Sequence, residues 1–221
     1  MDLVLDGIYD KRSFDFAHQS AKGVYGFDFR PRSFNFIQAY VIQDLLKNSM
    51  ISSEDIIELQ FQNDSDIVIN SIIEKVSQQH SNIRLNFGLS SSHSLEELEK
   101  NKRAFSIVFD HVDVKAYEKA LSPYCQSVVF SYDDLHKLSM MGQLNNFIVN
   151  FFSKVMKAKN DKFRLGVKLN WDSNVSSGII DQLDPDYLKF EISSHVERCY
   201  RNIDVPKLSE YVSQTRKALA I

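Results

Sequence analysis

The chain has 221 residues, of which 43% are apolar and 25% charged, a balance that excludes a disordered or fibrous protein and allows a substantial core. A net charge of −3, with 26 basic and 29 acidic residues and no long Lys/Arg block, gives nucleic-acid binding no electrostatic footprint. No apolar run approaches the roughly 20 residues of a membrane span, and Asp2 and Asp6 spoil the basic start of a signal peptide, so no membrane partner and a cytoplasmic location are expected.

Short runs rich in Val, Ile, Leu and Phe alternate with stretches of helical periodicity. Strands are predicted at 3–6, 24–29, 56–61, 83–88, 105–110, 127–133, 164–170 and 187–193. Helices are predicted at about 12–20, 36–48, 66–79, 94–101, 113–121, 144–158, 173–183 and 206–219. Ser94 with Glu97 three residues on has the spacing of a capping box, and Asp204 before Pro206 marks the start of the last helix. Phe147, Phe151 and Phe152 fall at helical spacings that suit a core.

Eight β-then-α units in one chain predict a parallel sheet closed into a (β/α)8 barrel, with residues 1–221 forming a single domain. An open doubly wound sheet is the rival, but the first strand–helix turn, LDGIYDKRSF, has no GxGxxG. Cys125 and Cys199 stand far apart, without CxxC or Cys/His spacing, and read as two reduced thiols. His93 and His111 lack the spacing of a metal site, and no metal or organic cofactor is expected.

The strand ends carry a resemblance. LDGI (5–8) and GFDFRPRSFNF (26–36) are similar to the K-I-C-G-I-T and G-F-V-F-x-P-K-S-x-R-x segments of the phosphoribosylanthranilate isomerase family. The ending FEISSHVERCYRNIDVPKLSEYV resembles that family's D-V-S-S-G-V-E…K-D-P-x-K-I, and LNWDSNVSSGI (169–179) its L-x-P-x-N-V segment. The resemblance implies a barrel that opens a phosphoribosyl amine with a general acid and moves a proton from C2 with a general base, giving a 1-deoxyribulose.

The family's base is a Cys at the end of strand one, where this chain has Asp6. A carboxylate there abstracts a proton only if desolvation raises its pKa toward neutrality. The family's acid is an Asp ending strand six; strand alternation places Asp133 on the same face as Ser131, making Asp133 the candidate. The Arg that grips the substrate carboxylate falls at Asn35, leaving Arg30 and Arg32 as nearby cations.

The family's phosphate glycines are changed in the same comparison. A-G-G-L becomes VKLN (167–170), G-G-T-G becomes MMGQ (140–143), and S-S-G-V-E becomes SSHVE (193–197). The implied anion site comprises Gly142, Lys168, Ser193, Ser194 and His195, for a small phosphorylated sugar-type ligand. Asp28, where the family has Val, calls for a polar barrel interior or a new hydrogen bond. Two readings stand: an isomerase using Asp6 as base and Asp133 as acid, or a non-catalytic isomerase-like barrel serving in binding or interaction.

Overall fold

The structure, a computed structural model, describes the chain apart from residues 21–22, 48, 50, 54, 63, 80–83, 90–93, 101, 160–161, 173 and 220–221. Its elements follow the predicted alternation: β1 (Asp2–Asp6), α1 (Lys11–Ser20), β2 (Val24–Asp28), α2 (Ala39–Lys47), β3 (Ile56–Gln60), α3 (Asp66–Gln79), β4 (Arg84–Leu89) and α4 (Leu95–Lys100). The second half comprises β5 (Phe105–Phe109), α5 (Val114–Leu121), β6 (Cys125–Ser131), α6 (Tyr132–Met140), α7 (Leu144–Lys154), β7 (Arg164–Leu169), α8 (Ser177–Leu183) and β8 (Tyr187–Glu191). A small hairpin, β9 (Glu197–Cys199) with β10 (Asn202–Ile203), precedes the last helix, α9 (Val205–Ala218). His93 and the Glu97 side chain, and with it the capping box, lie outside the described residues. Among the described residues, no helix is long and apolar enough to cross a membrane.

The eight strands β1 to β8 form a closed parallel barrel in sequence order. Closure comes from β1 pairing with β8, which sets Leu3 beside Leu188 and Asp6 beside Glu191. Alternation then sorts every strand into two faces. Leu3, Leu5, Phe27, Leu59, Phe105 and Leu188 point outward into a continuous apolar layer under the helices. A ring cluster anchors the β5–β6 side, where Phe151 packs edge-on against Phe109 and Phe130 with centroids 5.2 and 4.9 Å apart. Phe151 is fully buried, as its helical spacing predicts.

The inward face is unusual. Barrel interiors are generally filled with layers of bulky branched side chains. Here a small apolar layer of Val4, Val24, Val129 and Tyr187 lies toward the strand starts. Beyond it, the inward positions are Asp6, Glu58, Gln60, Asn86, Ser106 and Lys189, all buried. Asp28, buried as well, has the new hydrogen bond that the sequence called for: both carboxylate oxygens accept from Arg30, at 2.8 and 2.5 Å.

Two features differ from the expected pattern. The sixth strand stops at Ser131, and the chain enters α6 at Tyr132, burying Tyr132, Leu135 and Leu138 on one helical face. A helix thus replaces the predicted end of that strand and the loop after it. The prediction missed the acidic first turn of Asp133 and Asp134, which suits a helix N-terminus. The short β9–β10 hairpin was also unforeseen. Asp204 behaves as predicted, its carboxylate capping α9 by accepting from the Lys207 amide at 3.3 Å.

Candidate functional site

Catalytic groups of (β/α)8 barrels gather at the C-terminal ends of the strands. At that end of this barrel two adjoining cavities open, of about 370 and 500 Å3, with Lys168 and Glu191 lining both. The first exposes the ends of β1 to β8 and is lined by Asp6, Arg30, Gln60, Lys168, Lys189 and Glu191, among others. The second lies over the ends of β7 and β8 and is bounded by Asn35, Trp171, Ser193, Ser194 and His195.

Asp6 is 3% exposed at the bottom of the first cavity. Its Oδ2 lies 3.0 Å from Lys189 Nζ and also accepts from Gln60 Nε2, while Oδ1 accepts from the Gly7 amide at 2.9 Å. Lys189 in turn donates to Glu58, whose other oxygen accepts from Ser106 Oγ at 2.7 Å and Asn86 Nδ2 at 3.4 Å. One ammonium thus serves two buried carboxylates. Burial, the largest single influence, would raise the Asp6 carboxyl, but the Lys189 ammonium, the Lys168 charge and the Gly7 amide together outweigh it and hold the group below its ordinary value. Burial would likewise push Lys189 down, yet Asp6 and Glu58 keep it above the usual lysine range.

A second ion-paired chain lies nearer the rim. Arg30, half-buried, is fixed by Asp28 and stands 3.7 Å from Glu191, which also accepts from Lys168. The hydrogen bonds to Asp28 raise the Arg30 guanidinium above its ordinary value. Arg30 and Lys168, like Lys189 beneath them, are therefore shared with carboxylates.

Asn35, at the position of the family's gripping Arg, does structural work. It is buried, and its Nδ2 donates to the Ile192 carbonyl at 2.7 Å, tying the segment after β2 to the end of β8. That path crosses Gly7, which has φ +75°; a Cβ there would stand 2.2 Å from Asn35 Nδ2. The close approach requires glycine after Asp6.

Sequence and structure part company at other predicted positions. Asp133 is exposed in the first turn of α6, where its Oδ2 accepts from Asn170 Nδ2 at 2.6 Å. The alternation that linked it to Ser131 does not apply, because the strand has already become helix. Asp134, assigned to the opposite face, is the one that lines the first cavity, with Lys137 at 3.2 Å. Gly142 lies between α6 and α7 with φ +68° and lines neither cavity. Its amide donates to the Ser139 carbonyl at 2.9 Å, so it turns the chain at a helix end. Arg32 is exposed and outside both cavities.

Lys168, Ser193, Ser194 and His195 do converge on the second cavity. Trp171 and Phe34 line it too. The Trp171 indole N–H donates to the Glu191 carbonyl at 2.6 Å, and its ring stacks on Phe190 at 4.6 Å. Sequence reasoning passed over Glu58, Gln60 and Glu191 as site residues, and considered Lys189 only as a strand lysine of the kind that forms a Schiff base. The signal was present: in IIELQF and YLKFEIS the polar residues recur with period two, the mark of a polar inner face. Among the described residues, no group of His, Cys, Asp and Glu could hold a metal ion.

No protein-family model matches the sequence, and no curated protein matches it. Solved structures match its fold over the whole chain. The phosphoribosylanthranilate isomerase of Thermotoga maritima superposes with a TM-score of 0.68 at 16% identity, covering 100% of both chains. The enzyme of Pyrococcus furiosus gives 0.63 at 16%, again over 100% of both. A phosphoribosylanthranilate isomerase in complex with reduced 1-(o-carboxyphenylamino)-1-deoxyribulose 5-phosphate gives 0.65 at 14%, with the same coverage. At these identities the likeness is one of fold: the chain is a (β/α)8 barrel shaped like phosphoribosylanthranilate isomerase.

Proposed function

We propose that this isomerase-like barrel binds a small sugar-type ligand, carrying at most one phosphate, at the C-terminal mouth and has given up proton transfer at β1. The observation that carries the reading is the state of Asp6. Amadori-type isomerisation needs a base whose pKa lies near the working pH. Asp6 is instead buried, held by Lys189 and Gln60, and acidified below its ordinary value. A carboxylate stabilised in this way is a weak base. Asp133, exposed, bonded to Asn170 and lining neither cavity, offers no matching acid.

Electrostatics limits the ligand. The one in the solved isomerase complex carries both a phosphate and a carboxyphenyl group. The first cavity here is lined by five carboxylates, Asp6, Glu58, Asp110, Asp134 and Glu191, against three cations, Arg30, Lys168 and Lys189. A multiply anionic ligand meets net repulsion there. Lys168, with the hydroxyls of Ser193 and Ser194, supports a single phosphate or sugar hydroxyls in the second cavity.

One observation favours retained isomerisation as a second reading: the first cavity opens directly onto Asp6. Incubation with phosphoribosylanthranilate separates the two. The expected result is no loss of anthranilate fluorescence at high protein concentration and no rescue of a tryptophan auxotroph. Turnover that disappears in Asp6→Asn would establish the second reading instead. Binding is read separately from Trp171, the single tryptophan, which lines the second cavity. Ribose 5-phosphate is expected to change its fluorescence, and Lys168→Ala to weaken that response.

A further inference from the structure

We infer, resting on the reading that the second cavity takes a phosphate, that Glu191 is a built-in competitor for that phosphate. Its carboxylate spans Lys168 and Arg30, and an anion reaches Lys168 only by displacing it.

Barrel closure puts these groups together. Lys168 on β7 lies beside Lys189 on β8, and Glu191 follows Lys189 by two residues, so it faces the same side nearer the mouth. The Lys189 ammonium is spent on Asp6 and Glu58. Glu191 is left to the two other cations: Oε2 accepts from Lys168 Nζ, and Oε1 stands 3.7 Å from Arg30 Nη2.

A phosphate needs what Glu191 already holds. Among the described residues lining the second cavity, Lys168 is the only lysine or arginine, set against two carboxylates, Asp172 and Glu191. Lys168 and Glu191 line both cavities, so the pair stands at their boundary. The two side chains are 32% and 29% exposed, and an ion pair so open to water is held weakly enough to part. A phosphate carries more charge than a carboxylate and offers more acceptor oxygens, which the hydroxyls of Ser193 and Ser194 can meet while Lys168 changes partner. The displaced carboxylate stays close and repels the anion, so the phosphate is held less tightly than Lys168 and two serines would hold it alone.

The test is a titration of the native chain and of Glu191→Gln with ribose 5-phosphate, inorganic phosphate and uncharged ribose, read from Trp171 fluorescence. Glu191→Gln keeps the shape of the side chain and removes its charge. Both anions should bind the variant about tenfold more tightly than the native chain, with ribose binding unchanged. Adding Lys168→Ala to the variant should erase the gain. Anion binding that is equal or weaker in Glu191→Gln, or an equal gain for ribose, would overturn the competitor role; the phosphate reading then survives if the native chain still binds ribose 5-phosphate. A gain in the variant with no anion bound by the native chain would support the competitor and strike the phosphate from the native ligand. No anion bound by either protein would overturn both. If Glu191→Gln does not fold, Glu191→Ala carries the same expectation.

Discussion

A single lysine determines what Asp6 can do. Lys189 projects inward from β8, is 5% exposed, and balances Asp6 and Glu58 together. Removing one member of a buried ion pair leaves an uncompensated charge, which costs about 3–5 kcal/mol. Lys189→Met is therefore expected to lose stability on that scale, read as a lower denaturant midpoint at unchanged slope. Asp6→Asn should lose less, because Lys189 keeps Glu58 and the Asn amide still fits beside Gln60. A larger loss for Asp6→Asn than for Lys189→Met would refute this account of the network. The sequence shows that a carboxylate ends β1; the partner from the far end of the chain sets its protonation.

At the scale of elements, the passage from β6 into α6 matters most to the site. Aligning MMGQ with a phosphate loop assumes that the segment after strand six stays irregular, whereas it folds as a helix with buried Tyr132, Leu135 and Leu138. Asp133 thereby falls in the first turn of α6, bonded to Asn170 and outside the first cavity, and Gly142 becomes the left-handed residue of the α6–α7 turn. A side chain in that conformation costs about 1–2 kcal/mol. Gly142→Ala should thus lower stability by about that amount, since the space around it is open and only backbone strain is added. It should leave the Trp171 response to ribose 5-phosphate unchanged. A weakened response at full stability would return Gly142 to the ligand site. Eight strands and most helices were legible because a two-residue or 3.6-residue period survives in the sequence; the strand-to-helix switch was not, because SYDDL satisfies both patterns at once.

For the whole molecule, buried titratable groups give stability a definite pH profile. Burial pushes the Cys125 thiol up to about 12 from 9.0, and Tyr25 and Tyr187 up to about 12 from 10.0. The folded chain keeps these protons where the unfolded chain releases them, so their stabilisation is present below the ordinary values and lost as pH rises through the folded ones. Asp6 acts in the opposite range. Its folded value lies below 3.8, so its contribution is present above 3.8 and lost as pH falls through the folded value. Urea unfolding across pH should show stability falling from about pH 9, more steeply beyond 10, and falling again in acid below about 4. A rise in stability between pH 9 and 11 would contradict the burial of these groups.

The sequence by itself determined the barrel, because the alternation of strand and helix periods is local and each unit can close only onto its neighbours in a right-handed parallel sheet. It also determined that Asp6 ends the first strand and that Lys168, Ser193, Ser194 and His195 come from the loop ends of β7 and β8. Tertiary structure alone decided which charges meet. Asp6 and Lys189 are 183 residues apart in the chain, and Asn35 reaches Ile192 across 157; both become neighbours only when β8 closes against β1. A carboxylate's basicity depends on the charges within a few ångströms, and that distance is a property of barrel closure rather than of β1 and the turn after it.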